Sequence, residues 1–76
     1  MIVFAIGDLI RAHKIDGKSD RLDYGIVLEI DPLEEDANGK FYFFKARWVH
    51  QRLSEGWYTM DETSELYTLI KRANGK

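Results

Sequence analysis

Apolar and polar side chains alternate most regularly in the segment YGIVLEID, residues 24–31. A period of two is the pattern of a strand with one buried and one exposed face. The even-numbered positions carry the apolar set, so we expect them to face the core. These positions are Tyr24, Ile26, Leu28 and Ile30.

An earlier segment, from Val3 to Lys14, is rich in β-branched and aliphatic residues and is interrupted by Gly7. Beyond this glycine, a period of two places Ile10 and Ala12 on one side of the chain. We predict a first strand that bends at Gly7. Residues 14–23, KIDGKSDRLD, crowd Asp, Gly and Ser together and predict a loop.

A second long strand is predicted at residues 41–50, after an acidic connection that Pro32 and the Asn38-Gly39 pair delimit. Its side chains are apolar on both faces, which is unusual for so short a chain. We assign the even positions to the core, because lysine and arginine at odd positions are costly to bury unpaired. The even set is Tyr42, Phe44, Ala46, Trp48 and His50, and the odd set is Phe41, Phe43, Lys45, Arg47 and Val49.

The remaining segments predict two further strands, WYTM at residues 57–60 and a last one from Leu66 to Lys71. Between them, Thr59 followed by Glu62 has the spacing of a capping box, which predicts a short helical turn through Glu65. Five short strands bury their inner faces in one small domain by curling into a barrel. The predicted fold is therefore an all-β, five-stranded antiparallel barrel, formed by residues 1–76 with its core at about residues 4–71.

Composition restricts the class of protein. With 45% hydrophobic and 32% charged residues the 76-residue chain has a globular profile, and without cysteine it has no disulfide or thiolate metal site. The first ten residues lack a basic leader, and no apolar run approaches a membrane span, which predicts a soluble, cytoplasmic protein without membrane contact. A formal charge of −2 creates no strong field for nucleic acid.

Catalysis is not expected. A nucleophile and its base must lie side by side, but His13 and His50 fall on predicted strands, whereas the serines fall in turns that are far apart in sequence. These serines are Ser19, Ser54 and Ser64. We predict that the protein is not an enzyme and that it has no evident small-molecule substrate.

No metal or cofactor is expected either. The acidic connection offers several oxygen atoms but lacks the spacing of a calcium loop with its closing glutamate, so a solvated hairpin is the better interpretation. Its polar residues are Asp31, Glu34, Glu35, Asp36 and Asn38. No glycine-rich phosphate loop is present around Gly7 or Gly25.

The aromatic residues allow two interpretations. They could line a groove that encloses a cation or stacks bases, or they could fill the core of a barrel that needs large side chains. We favour the core for most of them. The residues are Tyr24, Tyr42, Trp48, Trp57 and Tyr58. Alternation places Trp57 and Tyr58 on opposite faces, so at least one of this pair should be exposed.

The odd positions of the residue 41–50 strand form the candidate binding surface, an apolar patch edged with positive charge. Contiguous exposed apolar residues on a soluble protein more often mark a protein interface, which favours a protein partner or a second copy of the chain. The alternative is a nucleic-acid interface, in which the basic residues contact phosphates and the phenylalanines stack on bases. The candidate residues are Phe41, Phe43, Lys45, Arg47, Val49, Arg52 and Trp57.

The order of motifs resembles the SH3-like barrels of the KOW and Tudor group. The matching segments are IGDLIRAHK, YGIVLEI, KARWVH and GWYTMDETSELYTLI, which span roughly residues 4–71. The chain looks most like short SH3-like proteins encoded by tailed bacteriophages. The resemblance implies an SH3-like barrel, a non-catalytic binding or assembly role, and a place in the host cytoplasm or in the virion. It also implies the alternative of a KOW-like nucleic-acid-binding module.

Overall fold

The structure is a computed structural model that describes residues 2–13, 23–62 and 66–73. The described part contains strands and turns and no helix. Six strands follow in chain order: β1 (Leu9–Ala12), β2 (Asp23–Ile30), β3 (Glu34–Asp36), β4 (Gly39–Trp48), β5 (Gly56–Asp61) and β6 (Tyr67–Lys71). Every pairing between them is antiparallel, which confirms the predicted all-β class.

The long strand β4 organises the sheet. It pairs with β5 along one edge and with β2 and then β3 along the other, and β1 and β6 follow beyond β2. The sheet curls around a core, but no pairing joins β5 to β6 within the described ranges. The fold is therefore an open, curled antiparallel sheet, a half-barrel, where the sequence predicted a barrel.

The core lies on the concave inner face and is rich in aromatic side chains. Phe44 contacts the rings of Phe4 and Tyr67 edge to face, with centroids 5.4 and 5.1 Å apart. Such pairs add to the apolar area that large rings remove from water. The buried apolar set is Phe4, Ile10, Ala12, Val27, Tyr42, Phe44, Ala46, Trp48, Met60 and Tyr67.

The predicted alternation of β4 is confirmed along the strand. Its even-numbered side chains from Tyr42 to Trp48 are buried, and its odd-numbered ones are half-buried or exposed. The prediction was wrong for His50, which lies beyond the end of β4 and is exposed. The strand ends at Trp48 because the chain turns there through Gln51, whose φ of 56° is in the left-handed region.

The predicted register of β2 was wrong. Asp23, Gly25 and Val27 face inward, whereas Ile26 faces outward with 37% of its surface exposed. Gly25 pairs with Trp48, and the indole ring occupies the space above this glycine. A side chain from β4 thus supplies the apolar volume that β2 lacks at this position, so a glycine can be a core residue.

A register shift between Val27 and Glu29 changes the face of β2 near its end. One extra residue in a strand reverses the alternation beyond it. Leu28, at the shift, is half-buried, and Ile30 packs against the core from the partly buried shell. Of the four even positions predicted to face inward, Tyr24 and Ile26 were therefore wrong, and Ile30 joins the core only because of the shift.

The start of the chain follows the prediction after Gly7 but not before it. Gly7 has a φ of 91°, which confirms the bend, and Ile10 and Ala12 are buried as expected. Residues 2–5 form no strand. The buried hydroxyl of Tyr42 holds them by donating to the carbonyl of Ile2 (3.0 Å) and accepting from the amide of Phe4 (3.0 Å).

The fully buried carboxylate of Asp8 joins the two ends of the described chain. It accepts hydrogen bonds from the amides of Ala5 (2.8 Å) and Ala73 (3.0 Å). The guanidinium of Arg72 lies 2.9 Å from the same carboxylate and also donates to the carbonyl of Val3. A buried charge requires such partners, since an unpaired one would be costly.

The acidic connection and the region after β5 also differ from expectation. The Asn38-Gly39 turn is confirmed, with φ of 118° at the glycine, but the acidic residues before it form the short strand β3. Thr59 does not cap a helical turn, because the two residues after it, Met60 and Asp61, continue β5. Residues 63–65, which would complete that turn, lie outside the described ranges.

Candidate functional site

The candidate site is the outer, convex face of the sheet where β4 meets β5. Alternation along β4 places Phe41, Phe43, Lys45 and Arg47 on this face, and Trp57 of β5 lies directly opposite Lys45. We call these five residues the outer face. The structure thus brings together five of the seven residues that the sequence singled out.

The apolar part of the outer face is built from three aromatic side chains. The rings of Phe41 and Phe43 lie edge to face with centroids 5.8 Å apart, and both side chains are half-buried. Trp57 is more open, with 47% of its surface exposed. Its neighbour in sequence, Tyr58, faces the core and lies 5.5 Å from the ring of Trp48, so the prediction that at least one of the pair is exposed is confirmed.

Glutamates partner both basic side chains of the outer face. The Lys45 ammonium lies 3.6 Å from the carboxylate of Glu29 on β2, and Arg47 donates to Glu55 at 2.7 Å. The hydrogen bond to Glu55 raises the pKa of the Arg47 guanidinium and lowers the pKa of the Glu55 carboxyl. Neighbouring carboxylates, one on β2 and one in the turn before β5, therefore offset the positive charge of Lys45 and Arg47.

One end of the outer face is acidic. Phe41, Phe43 and Thr59 line a shallow concavity of about 330 Å³. Asp36, Asp61 and Glu62 stand around it, with Lys40 as the basic residue of its lining. A polyanion that followed β4 would meet these carboxylates, which makes this end unfavourable for phosphate groups.

Val49 and Arg52 lie apart from the outer face. They follow the end of β4 and line a second concavity of about 660 Å³ together with Ile26 and Arg47. Val49 has 56% of its surface exposed, and its amide donates to the carbonyl of Tyr24 at 2.8 Å. These two candidate residues belong to the turn that adjoins the site.

The buried carboxylate of Asp23 fixes that turn. It accepts hydrogen bonds from the amides of Tyr24 (2.7 Å), His50 (3.0 Å) and Arg52 (3.1 Å). Burial alone would raise the pKa of Asp23, but these backbone donors outweigh it and hold the pKa below the ordinary value. The turn that carries Val49 and Arg52 is thus anchored to the inner face of β2.

Sequence reasoning missed two residues of this surface. Ile26 was assigned to the core, although it lies opposite Arg47 on the outer side of the sheet. The ion-pair partner Glu55 lies eight residues from Arg47, in a turn where no periodicity places it. Glu29, the ion-pair partner of Lys45, is an exposed residue of the neighbouring strand β2.

The described residues offer no metal site, since no group of three or more His, Cys, Asp or Glu in them is arranged to hold an ion. Of the two histidines, His13 contacts the hydroxyl of Thr68, with 2.6 Å between Nε2 and Oγ1. His50 is exposed, and its backbone amide donates a hydrogen bond to Asp23. In the same described ranges no helix is long and apolar enough to span a bilayer. The absence of catalysis stays a prediction.

Comparison of this chain with protein-family models, with curated proteins and with solved structures gives no match. Its function is accordingly inferred from the residues of the outer face and from the fold that positions them.

Proposed function

We propose that the chain is an SH3-like barrel, left open between β5 and β6, that acts as a non-catalytic binding or assembly module. The outer face is the binding surface, and its partner is another protein or a second copy of the chain. The observation that carries the proposal is an aromatic row on the outer face, formed by the half-buried Phe41 and Phe43 and the exposed Trp57. It lies beside basic residues whose charges are already paired.

The aromatic row has the composition of an interface centre. Aromatic side chains are enriched in the buried centres of protein interfaces and contribute much of the binding energy there. Trp57 exposes nearly half of its surface, and Ile26 and Val49 extend the exposed apolar area toward the turn after β4. Polar and charged groups surround this area, as is usual at the rim of an interface.

Nucleic-acid binding is the alternative, and the pairing of charges disfavours it. To contact phosphates, Lys45 and Arg47 would have to leave Glu29 and Glu55, and the carboxylates at the other end of the site would repel the backbone. In a protein complex the same ion pairs can stay at the rim, where exposed pairs contribute little.

The test compares Phe43→Ser with Lys45→Ala. We expect Phe43→Ser to abolish self-association in light scattering, or capture of a partner protein, because a buried aromatic anchor contributes about 2 kcal/mol or more. Lys45→Ala should leave self-association, or capture of the partner protein, largely intact. Ile6→Ser is the matched control, since Ile6 is exposed but lies outside the outer face.

The opposite order of effects would reject the proposal. A strictly monomeric parent that binds single-stranded nucleic acid, with a salt slope that falls by about one unit in Lys45→Ala, would show the KOW-like alternative. The phage relationship and the location in the host cytoplasm or virion stay predictions from the sequence.

A further inference from the structure

We propose that the partner of the outer face is a second copy of the chain, which binds antiparallel to the first across a two-fold axis. The dimer rests on the function proposed above, since it names the partner of the same surface. Its basis is that the two ends of this surface carry charges of opposite sign, with aromatic side chains between them. Such a surface is complementary to itself when one copy is turned end to end.

The end of the outer face beside β3 carries carboxylates without a basic partner. Glu34 lies directly opposite Phe41, and Asp36 is two positions further along β3. Residues opposite each other in an antiparallel pair share a face, so Glu34 and Asp36 lie on the same side of the sheet as Phe41. Both are exposed, and no basic side chain of the described residues forms a salt bridge with either. Glu35 and Lys40, which also pair, face the other side by the same alternation.

The turn that adjoins the opposite end of the outer face is basic. The exposed Arg52 lines the concavity of about 660 Å³ together with the outward residues Ile26 and Arg47. Arg47 is already paired, but no carboxylate of the described residues forms a salt bridge with Arg52. Arg11 of β1 lies opposite Tyr24, with its guanidinium 5.3 Å from the centre of that ring, and adds a second positive charge near this end.

The most exposed aromatic side chain lies midway between the two ends. Val49 follows Phe41 by eight positions, which is about 27 Å at the rise of a strand. Lys45 is the midpoint of this interval, and Trp57 lies directly opposite it with 47% of its surface exposed. A two-fold axis at this point would bury Trp57 of each copy against the same residue of the other, as an aromatic centre of the interface.

The same axis brings the acidic end of each copy onto the basic end of the other. Arg52 of one copy would lie beside Glu34 and Phe41 of the other, where a carboxylate and an aromatic ring both stabilise a guanidinium. A parallel arrangement would instead set like charges against each other at both ends. An unrelated protein would need opposite charges at a matching spacing, whereas a second copy supplies them by symmetry. Charge complementarity therefore favours a second copy, and the two-fold contact closes the assembly as a dimer.

The test measures the dissociation constant of the dimer by sedimentation equilibrium for Glu34→Lys and Arg52→Glu, each alone and the two mixed. Either change alone sets side chains of the same sign against each other. Because symmetry repeats the change at both ends of the interface, we expect each variant alone to dissociate at least about tenfold more readily than the parent. An equimolar mixture should restore the association, since the two variants are complementary to each other at both ends.

Glu35→Lys is the matched control for the change of charge. Glu35 is also an exposed carboxylate of β3, but it faces the other side of the strand, so this variant should associate as the parent does. The convex shape of the outer face keeps the contact small, and small interfaces belong to complexes that dissociate readily. We therefore expect a micromolar dissociation constant for the parent and measure it from about 10 μM to 1 mM protein.

Three results would overturn the second copy as the partner. They are a parent that stays monomeric up to about 1 mM, charge variants that associate as Glu35→Lys does, and a mixture that associates no better than either variant alone. In each case the function proposed above would still stand if Phe43→Ser abolished the capture of another protein. Self-association that Phe43→Ser leaves intact would reject the dimer together with that function, because the contact would then lie outside the outer face.

Discussion

Replacing Gly25 with alanine should destabilise the fold, because the added methyl group would meet the ring of Trp48. An ideal Cβ at this position lies 2.5 Å from Cε3 and 2.6 Å from Cζ3 of the indole. Carbon atoms in favourable contact are about 3.5–4.0 Å apart, so the ring would have to retreat by about 1 Å. Tyr58 and Tyr67 pack against the same indole, which restricts that movement.

The magnitude follows from two opposing effects. Overpacking of a well-packed core costs about 1–3 kcal/mol. Replacement of glycine by alanine also restricts the unfolded chain, which stabilises by about 0.4–1 kcal/mol where the new side chain fits. For Gly25→Ala the net loss of stability should therefore lie between about 0 and 2.6 kcal/mol, and in a chain of this size each kcal/mol lowers the melting temperature by about 4–8 °C.

Gly56→Ala is the matched control, because Gly56 is also a strand glycine but an ideal Cβ there meets none of the described residues within 4 Å. We expect this variant to be as stable as the parent or slightly more stable in thermal and urea unfolding. In a Trp57→Phe background, fluorescence reports Trp48 alone, and Gly25→Ala should shift its emission. Equal stability of Gly25→Ala and Gly56→Ala would refute the close contact between Gly25 and the indole.

Three further predictions concern the core and its buried carboxylates. Phe44→Ala should cost about 3–5 kcal/mol in urea unfolding, and Leu28→Ala clearly less, since Phe44 is fully buried and Leu28 only half-buried; equal costs would contradict the observed register. The pKa of Asp23 is lower in the folded state than its ordinary value of 3.8. The ionised carboxylate therefore stabilises the fold fully above pH 3.8, and this stabilisation is lost as the pH falls through the folded-state pKa. Melting temperatures measured from about pH 5 to 2 should therefore fall more steeply in the parent than in Asp23→Asn, and parallel curves would contradict this. Arg72→Met removes one partner of the buried Asp8 carboxylate and should lower the free energy of unfolding by about 1–2 kcal/mol, and Arg72→Lys should restore part of this loss. An unchanged melting temperature in both variants would show that the backbone donors alone stabilise the carboxylate.

The sequence was most informative where the alternation was unambiguous. In β4, lysine and arginine at odd positions assigned the faces correctly, and the outer face followed from that assignment. The Asn38-Gly39 pair located a turn, because the residue at its second position adopts positive φ. Both features depend only on residues that are close together in the sequence, so the sequence pattern predicts them.

The register of β2 could not be predicted, because its causes are non-local. Gly25 faces the core only because the ring of Trp48 arrives from β4, 23 positions further along the chain. Asp23 faces inward because the turn after β4 presents amide groups to it. A prediction from alternation uses only the polarity of the side chains within one segment. It therefore assigns a glycine and an aspartate to the exposed face even where, as here, both are buried.

The same limit applies to the candidate site. Phe41, Phe43, Lys45 and Arg47 could be grouped because they share one strand, and Trp57 joined them by its place in the neighbouring one. The neutralising partner Glu55 could not be assigned, since it comes from a turn. The basic residues predicted at the edge of this surface, Lys45 and Arg47, are therefore paired with carboxylates in the structure.

The hydrogen bonds that Asp8 receives from Ala73 and Arg72 also set an order of events during synthesis. Ala73 and Arg72 lie 65 and 64 positions after Asp8 in the sequence, and β6 pairs with β1 across a similar interval. A nascent chain with residue 73 still inside the ribosome would hold a carboxylate that lacks two of its donors and a first strand that lacks one neighbour. Contacts of such long range also slow folding, because the ends must meet before they stabilise each other. The domain should consequently acquire its native sheet in one late step, only once residue 73 has emerged, and not strand by strand during translation.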